Sequence, residues 1–182
     1  MAGADPITAL VVSDTHLRPE TIDRMPSEVW SLAGEADVVL HAGDVVHPSV
    51  LAALADRASV HAVLGNNDDA LVGVLPETLE VDLGGVRIAM IHDSGVRAGR
   101  PARMRRRFAD ADVVVFGHSH EPVIEQLPDG LLLVNPGSPT QRRRQPVHTV
   151  VWLELGEGVV RSATMVDVGP LARPGLTRIA SG

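Results

Sequence analysis

Short apolar runs punctuate the chain: "ITALVV" (7–12), "ADVVLHA" (36–42), "SVHAVL" (59–64), "VRIAMI" (86–91) and "ADVVVF" (111–116), then "GLLLVN" (130–135), "HTVVWLEL" (148–155) and "VVRSATMV" (159–166). They are too short for helices and rich in valine, so they predict strands. Three intervening stretches predict helices: "PSEVWSLAGE" (26–35), "PSVLAALADR" (48–57) and "GRPARMRRRFADA" (99–111). The first two place proline at a first helical position, where its missing N–H does no harm. Further on, "PDG" (128–130) and "GEG" (156–158) predict hairpins between antiparallel strands. Strand–helix alternation followed by a β-rich end predicts an α/β fold with mixed sheets. With aromatics at 2% of residues, its core must be built from Val, Leu, Ala and Ile.

The polar residues that end these runs are the informative regularity. Asp14-Thr15-His16 follows the first run, Asp44 the second, and Asn66-Asn67-Asp68 the third. His92 follows "IAMI", and His118 and His120 follow "VVVFG". Ligands of open α/β sheets bind at the carboxyl ends of strands. Any one of these residues has an ordinary explanation as a cap, a turn or a core histidine. Five coincident ordinary explanations are a poor account. His118 and His120 lie two apart, so on an extended chain both rings point to one side. Asp14, His16, Asp44, Asn66, His92, His118 and His120 supply two carboxylates, one amide and four imidazoles. Such oxygen and nitrogen donors suit divalent transition metals better than calcium or magnesium. Seven are too many for one four-coordinate ion but suit two ions bridged by a carboxylate, and Asp44 lies between the two ligand groups in the chain.

Composition narrows the chemistry further. Cysteine is absent, which excludes disulfides, thiolate ligands and a cysteine nucleophile. All sixteen basic residues are arginines, which excludes lysine-based phosphate loops and Schiff-base chemistry. A formal net charge of −7 argues against a general nucleic-acid binder, so nucleic acid is expected only as a substrate. No run approaches the roughly 20 apolar residues of a membrane span, and no secretion signal is visible. A cytoplasmic protein is expected, with one domain over 1–169 and a loose tail over 170–182.

The ordered set "DTH", "GD", "GNND", a lone histidine and "GHSH" resembles the calcineurin-like metallophosphoesterase superfamily. The small size and the late "NPGS" (135–138) resemble its compact branch, the YfcE-like phosphodiesterases. The resemblance covers roughly residues 7–166 and implies a four-layer α/β/β/α sandwich of two mixed sheets. It implies that Asp14, His16 and His120 hold a first metal, that Asp44 bridges, and that Asn66, His92 and His118 complete a second. The implied cofactor is two divalent transition metals, manganese first, with iron, nickel, cobalt or zinc as alternatives. The implied reaction is phosphodiester hydrolysis by in-line attack of a metal-bridging hydroxide, with Asn66, Asp68 and His118 as catalytic residues. Such a site loses activity in acid, because protonated imidazoles cannot bind metal. The alternatives are a phosphomonoesterase of the same fold, or a non-catalytic scaffold similar to the retromer subunit of this branch. The implied partner is a small phosphoester, with a homodimer expected by analogy.

Two departures bear on substrate chemistry. Where many members carry a histidine after the family asparagine, as a general acid partnered by the next residue, this chain has Asn67 followed by Asp68. Asn67 cannot deliver a proton at neutral pH. Ser94 stands where relatives often carry a second histidine. Expected substrate contacts are Asn67, Ser94, Arg142 and Arg143. The arginines of 97–107 are expected as a solvated face or as an electropositive rim. His41, His47, His61 and His148 are expected to be structural, with His41 the one to watch because it lies three residues before Asp44.

Overall fold

In a computed structural model that describes residues 5–169, the strands are β1 (Ile7–Val12), β2 (Val38–His41), β3 (Ser59–Ala62), β4 (Thr78–Leu83), β5 (Val86–Ile91), β6 (Val113–Val115), β7 (Val123–Gln126), β8 (Leu132–Asn135), β9 (Thr149–Gly156) and β10 (Val159–Asp167). The helices are α1 (Ser27–Glu35), α2 (Pro48–Ala55) and α3 (Arg100–Arg107). One sheet has the order β10-β9-β1-β2-β3 and the other β4-β5-β6-β8-β7. In the first, β1, β2 and β3 run parallel, and β9 and β10 join antiparallel. In the second, β5, β6 and β8 run parallel between antiparallel β4 and β7. Both sheets are therefore mixed, as expected.

The period-two alternation of a strand divides its side chains between two cores. Ala9 and Val11 of β1 join Ile88, Met90, Val113 and Val134 of the other sheet in the central core. Leu10 and Val12 point the other way, onto Val29 and Ala33 of α1 and Val50 and Leu54 of α2. On the far side, Ala89, Val114 and Leu133 pack against Met104 of α3 and Phe108 just past its end. Strands covered on both faces read as unbroken apolar runs, which is why β1, β2 and β6 were legible. The layers are α/β/β/α.

The pattern did not predict β4 or β7. β4, "TLEVDL", is an edge strand with Glu80 and Asp82 exposed and the alternate positions half-buried. β7, "VIEQ", is the other edge of that sheet and ends in two exposed polar residues. Charged, short edges suit strands that must not pair with another chain, and the same charges dilute their hydrophobic signal. All three helices begin within a residue of expectation. The third was expected through 111 but ends at Arg107, because Phe108 leaves helical geometry. Among the described residues no helix is long and apolar enough to cross a membrane. The expected tail, 170–182, lies outside the described residues.

Candidate metal centre

Loops from the carboxyl ends of β1, β2, β3, β5 and β6 meet at one end of the two sheets. Their backbones are unusual: Asp14, His16, Asp44, His118 and His120 all have left-handed φ, between 45° and 67°, and Val46 has φ 76°. Non-glycine residues at positive φ are uncommon, and a β-branched one is a true outlier that its surroundings must enforce. Here the loops are laced together. The Asp14 N–H donates to the Gly43 carbonyl (2.9 Å) and the His16 N–H to the Asp44 carbonyl (3.0 Å). The glycines that precede the functional residues permit this closeness. A Cβ on Gly65 would lie 2.1 Å from the Asp44 nitrogen, and one on Gly117 would lie 1.9 Å from the Ser13 hydroxyl.

The "GHSH" segment corrects one expectation. His118 and His120 are past the end of β6 in left-handed turns, so strand alternation does not aim them together. Their rings diverge. His118 is exposed and lies edge-on to His92, with ring centres 5.3 Å apart. His120 is buried and stacks on His16 at the same spacing.

Two donor clusters result. In one, the His120 Nε2 lies 3.2 Å from Asp14 Oδ1 and 3.3 Å from the His16 Nε2. The His120 Nδ1 faces the Gln141 carbonyl and must donate to it, so a neutral ring turns a bare lone pair on Nε2 towards these atoms. Asp14 Oδ1 is itself buried with no hydrogen-bond partner. In the other cluster, the His92 Nδ1 donates to the Ala42 carbonyl (2.7 Å), which leaves Nε2 facing Asn66 Oδ1 (3.1 Å) and Asp44 Oδ1 (3.4 Å). Asn66 Oδ1 also meets the His118 Nδ1 at 2.8 Å. Lone pairs converging without protons between them are what a divalent cation fits, and carbonyls fixing the far nitrogens are the usual outer support of metal-binding imidazoles. The chain thus presents candidate metal-ligand groups at Asp14, His16 and His120 and at Asp14, Asp44 and His92.

Charge follows the same pattern. Burial pushes the Asp14 carboxyl up, but His120, the charge of His92 and the Ser13 hydroxyl outweigh it and hold Asp14 below the usual carboxylate range. Asp44 is likewise lowered, as the neighbouring His92 and the hydrogen bonds from Asn67 override its burial. Burial lowers His16 despite Asp44 and Asp14 nearby. His92 is raised, because burial is outweighed by Asp44 and Asp14. The two carboxylates therefore stay ionised, ready to bind a cation.

The remaining expected residues are distributed unevenly. Asn67 is turned onto Asp44, its N–H on Oδ1 (2.9 Å) and its Nδ2 on Oδ2 (2.7 Å). Asp68 is buried and accepts three backbone N–H groups, from Asp44 (3.0 Å), Gly65 (2.7 Å) and Val46 (2.6 Å). Ser94 is buried, and its carbonyl accepts from the Arg103 Nε. The Arg142 guanidinium closes its own turn onto the Gln145 carbonyl. Arg143 reaches the His118 carbonyl at 3.3 Å. His41 is fully buried against the Thr15 hydroxyl (3.1 Å), and burial lowers its pKa to about 4 despite the opposing charge of Asp14.

Several contributors had little or no sequence signal. The Ser13 hydroxyl donates to Asp14 Oδ2 (2.7 Å), and the Ser138 and Thr140 hydroxyls donate to the carbonyls of Asp14 and Thr15 (2.8 and 2.7 Å). "NPGS" marked Ser138 as a tight turn. The Ala42 and Gln141 carbonyls that orient His92 and His120 are backbone atoms, which no side-chain motif announces.

Comparison with known proteins agrees with this geometry. Residues 7–158 match the model of the calcineurin-like phosphoesterase superfamily domain. A probable metallophosphoesterase of Methanocaldococcus jannaschii is 36% identical over 148 residues, covering 80% of this chain and 74% of the relative. A phosphodiesterase of the same organism is 26% identical over 140 residues, covering 70% and 81%. Vacuolar protein sorting 29 of Cryptosporidium parvum superposes with a TM-score of 0.72 at 20% identity, over 90% of this chain and all of the other, a likeness of fold alone. With the family model spanning most of its length and the motif residues gathered at one end of the fold, the chain belongs to the calcineurin-like phosphoesterase superfamily.

Proposed function

We propose that the chain is a dinuclear metal-dependent phosphodiesterase, with Asp14, His16 and His120 holding one transition-metal ion, Asn66, His92 and His118 the other, and Asp44 between them. The observation that carries this reading is the orientation of Asp44. Its Oδ2 lies 3.5 Å from the His16 Nε2 of one cluster, and its Oδ1 lies 3.4 Å from the His92 Nε2 of the other. When bound, two such ions supply an activated water and polarise the phosphoryl oxygens. The protein's own part is placement. Asn67 and the backbone around it hold Asp44 by both oxygens. Asp68 anchors the turn that carries Asp44, and the exposed Asn66 and His118 line the face a substrate approaches. The phosphodiesterase among the relatives supports diesters over monoesters. Manganese is proposed first, with a small phosphoester as substrate.

The test compares bis(p-nitrophenyl) phosphate with p-nitrophenyl phosphate. It uses metal-stripped protein, then protein reloaded with manganese, nickel, zinc or magnesium, with His120→Ala and Asp44→Ala as controls. Diester turnover restored by a transition metal and lost in both variants is expected. A monoester preference would transfer the reading to a phosphomonoesterase. Two bound ions without turnover of either ester would favour a scaffold, and no bound metal would overturn the proposal.

A further inference from the structure

Among the described residues, the two that follow Asn66 offer the departing oxygen no proton. Asn67 occupies the position after Asn66 and spends its amide on Asp44 at 2.7 Å. Asp68 is buried with three backbone N–H groups on its two oxygens. His118 is committed to the second ion in the proposed function, with its Nδ1 on Asn66 Oδ1. What stands at the mouth instead is a guanidinium.

Arg143 sits in the turn closed by the Gln145 N–H on the Arg142 carbonyl (2.9 Å), with φ 52°, and its side chain is exposed. The turn is tied to both halves of the site. Ser138 and Thr140 bind the Asp14-Thr15 loop, the Gln141 carbonyl takes the His120 Nδ1, and the Arg143 Nη1 donates to the His118 carbonyl at 3.3 Å. Its positive charge is also felt at His16, in the opposite cluster. Arg87, Arg97, Arg105 and Arg161 each have a carboxylate partner, whereas Arg143 has none among the described residues. A left-handed non-glycine residue enforced at a site mouth is the kind of strain found where a side chain must be aimed. A guanidinium held at one corner keeps further N–H donors in a planar fork suited to phosphate oxygens.

We propose that Arg143 clamps the phosphodiester and stabilises the departing oxygen as an anion, in place of a general acid. The proposal rests on the diesterase reading above. In the step, the oxygen of water bonds to phosphorus as the ester P–O bond breaks. The bonding pair leaves on the ester oxygen, which exits as an anion hydrogen-bonded to Arg143. The proton lost by the attacking water goes to solvent, and the departed anion takes a proton from solvent after release. The substrate class this favours is diesters with stable leaving anions, such as aryl or enolic esters.

Wild type, Arg143→Ala, Arg143→Lys and the neighbouring control Arg144→Ala would be compared as manganese-loaded proteins. The first measurement is kcat/KM across aryl diesters of graded leaving-group acidity. Arg143→Ala is expected to lose about tenfold with the p-nitrophenyl ester and on the order of a hundredfold with the phenyl ester, within the range for removal of a charge stabiliser at a leaving group. Arg143→Lys recovers part of that loss, and Arg144→Ala behaves as wild type. Equal losses across the series, no loss, or the same loss in Arg144→Ala would overturn the proposal. The second measurement is calorimetric binding of inorganic phosphate, with metal content checked for each variant. Arg143→Ala is expected to bind phosphate roughly tenfold more weakly at unchanged metal stoichiometry, as for a lost charge-assisted contact. Unchanged phosphate affinity overturns the clamp even if no ester is turned over, whereas inactivity of wild type alone overturns only the diesterase reading.

Discussion

Asp68→Asn separates an anchoring role for Asp68 from an acid–base one. The carboxylate is buried, with Oδ2 accepting from the Asp44 and Gly65 N–H groups and Oδ1 from the Val46 N–H at 2.6 Å. An asparagine has one oxygen to offer. It would keep the Asp44 and Gly65 bonds, weakened by loss of charge, and set its NH2 against the Val46 N–H, donor against donor. A lost hydrogen bond to a charged group is worth about 1.5–3 kcal/mol, and weakening the other two adds a few tenths each. Val46, at φ 76°, and Asp44, at φ 56°, are then less firmly held. The expected loss is about 3 kcal/mol, which for a chain of this length lowers Tm by roughly 6–12 °C. Metal affinity should fall too, because the turn carries Asp44, the proposed central ligand. The assay is thermal unfolding with and without manganese, together with metal content and diester turnover. Wild-type Tm and metal content with abolished turnover would refute the anchoring argument and return Asp68 to proton transfer.

Three further outcomes are expected. His41 titrates near 4 in the fold against an ordinary 6.5, so between those values the unfolded chain binds a proton that the native one does not. Stability should be complete above pH 6.5 and fall by up to about 3 kcal/mol as the pH drops through 4, a loss that His41→Gln should flatten in denaturant melts across pH 4–7. Gly117→Ala places a methyl 1.9 Å from the Ser13 hydroxyl and 2.7 Å from Asp14 Oδ2. It should lower stability by about 1–3 kcal/mol and weaken metal binding, and a well-folded variant with full metal content would count against the close approach. Chelation should lower Tm, since a ligand present at a hundred times its Kd stabilises the native state by about 2.7 kcal/mol; an unchanged Tm on removing bound metal would mean that the clusters are not where it binds.

Much of this protein was written locally. The apolar runs of β1, β2, β5 and β6 are buried on both faces and needed no knowledge of neighbours to be read as strands, and proline marked the start of α1, as its N-cap, and the first position of α2. The identities of Asp14, His16, Asp44, Asn66, His92, His118 and His120 could be read from motifs at strand ends. The edge strands β4 and β7 were not legible, because half their residues face solvent and carry the polarity of loops.

Only the tertiary structure decided how the division of donors that the family resemblance implies comes about in space. His118 and His120 are two residues apart yet belong to opposite clusters, because left-handed turns rather than strand pleating direct their rings. Asn67 and Asp68 carried sequence credentials as a substrate contact and a catalytic residue, and Arg142 and Arg143 both as substrate contacts. Folding turned the first two onto Asp44 and its backbone and bent Arg142 onto its own turn, while the Arg143 guanidinium was left at the mouth. A sequence fixes which donors exist and how strongly each segment prefers strand or helix. It does not fix which lone pairs end within 4 Å of one another, because that depends on backbone carbonyls and turn angles that no side-chain identity encodes.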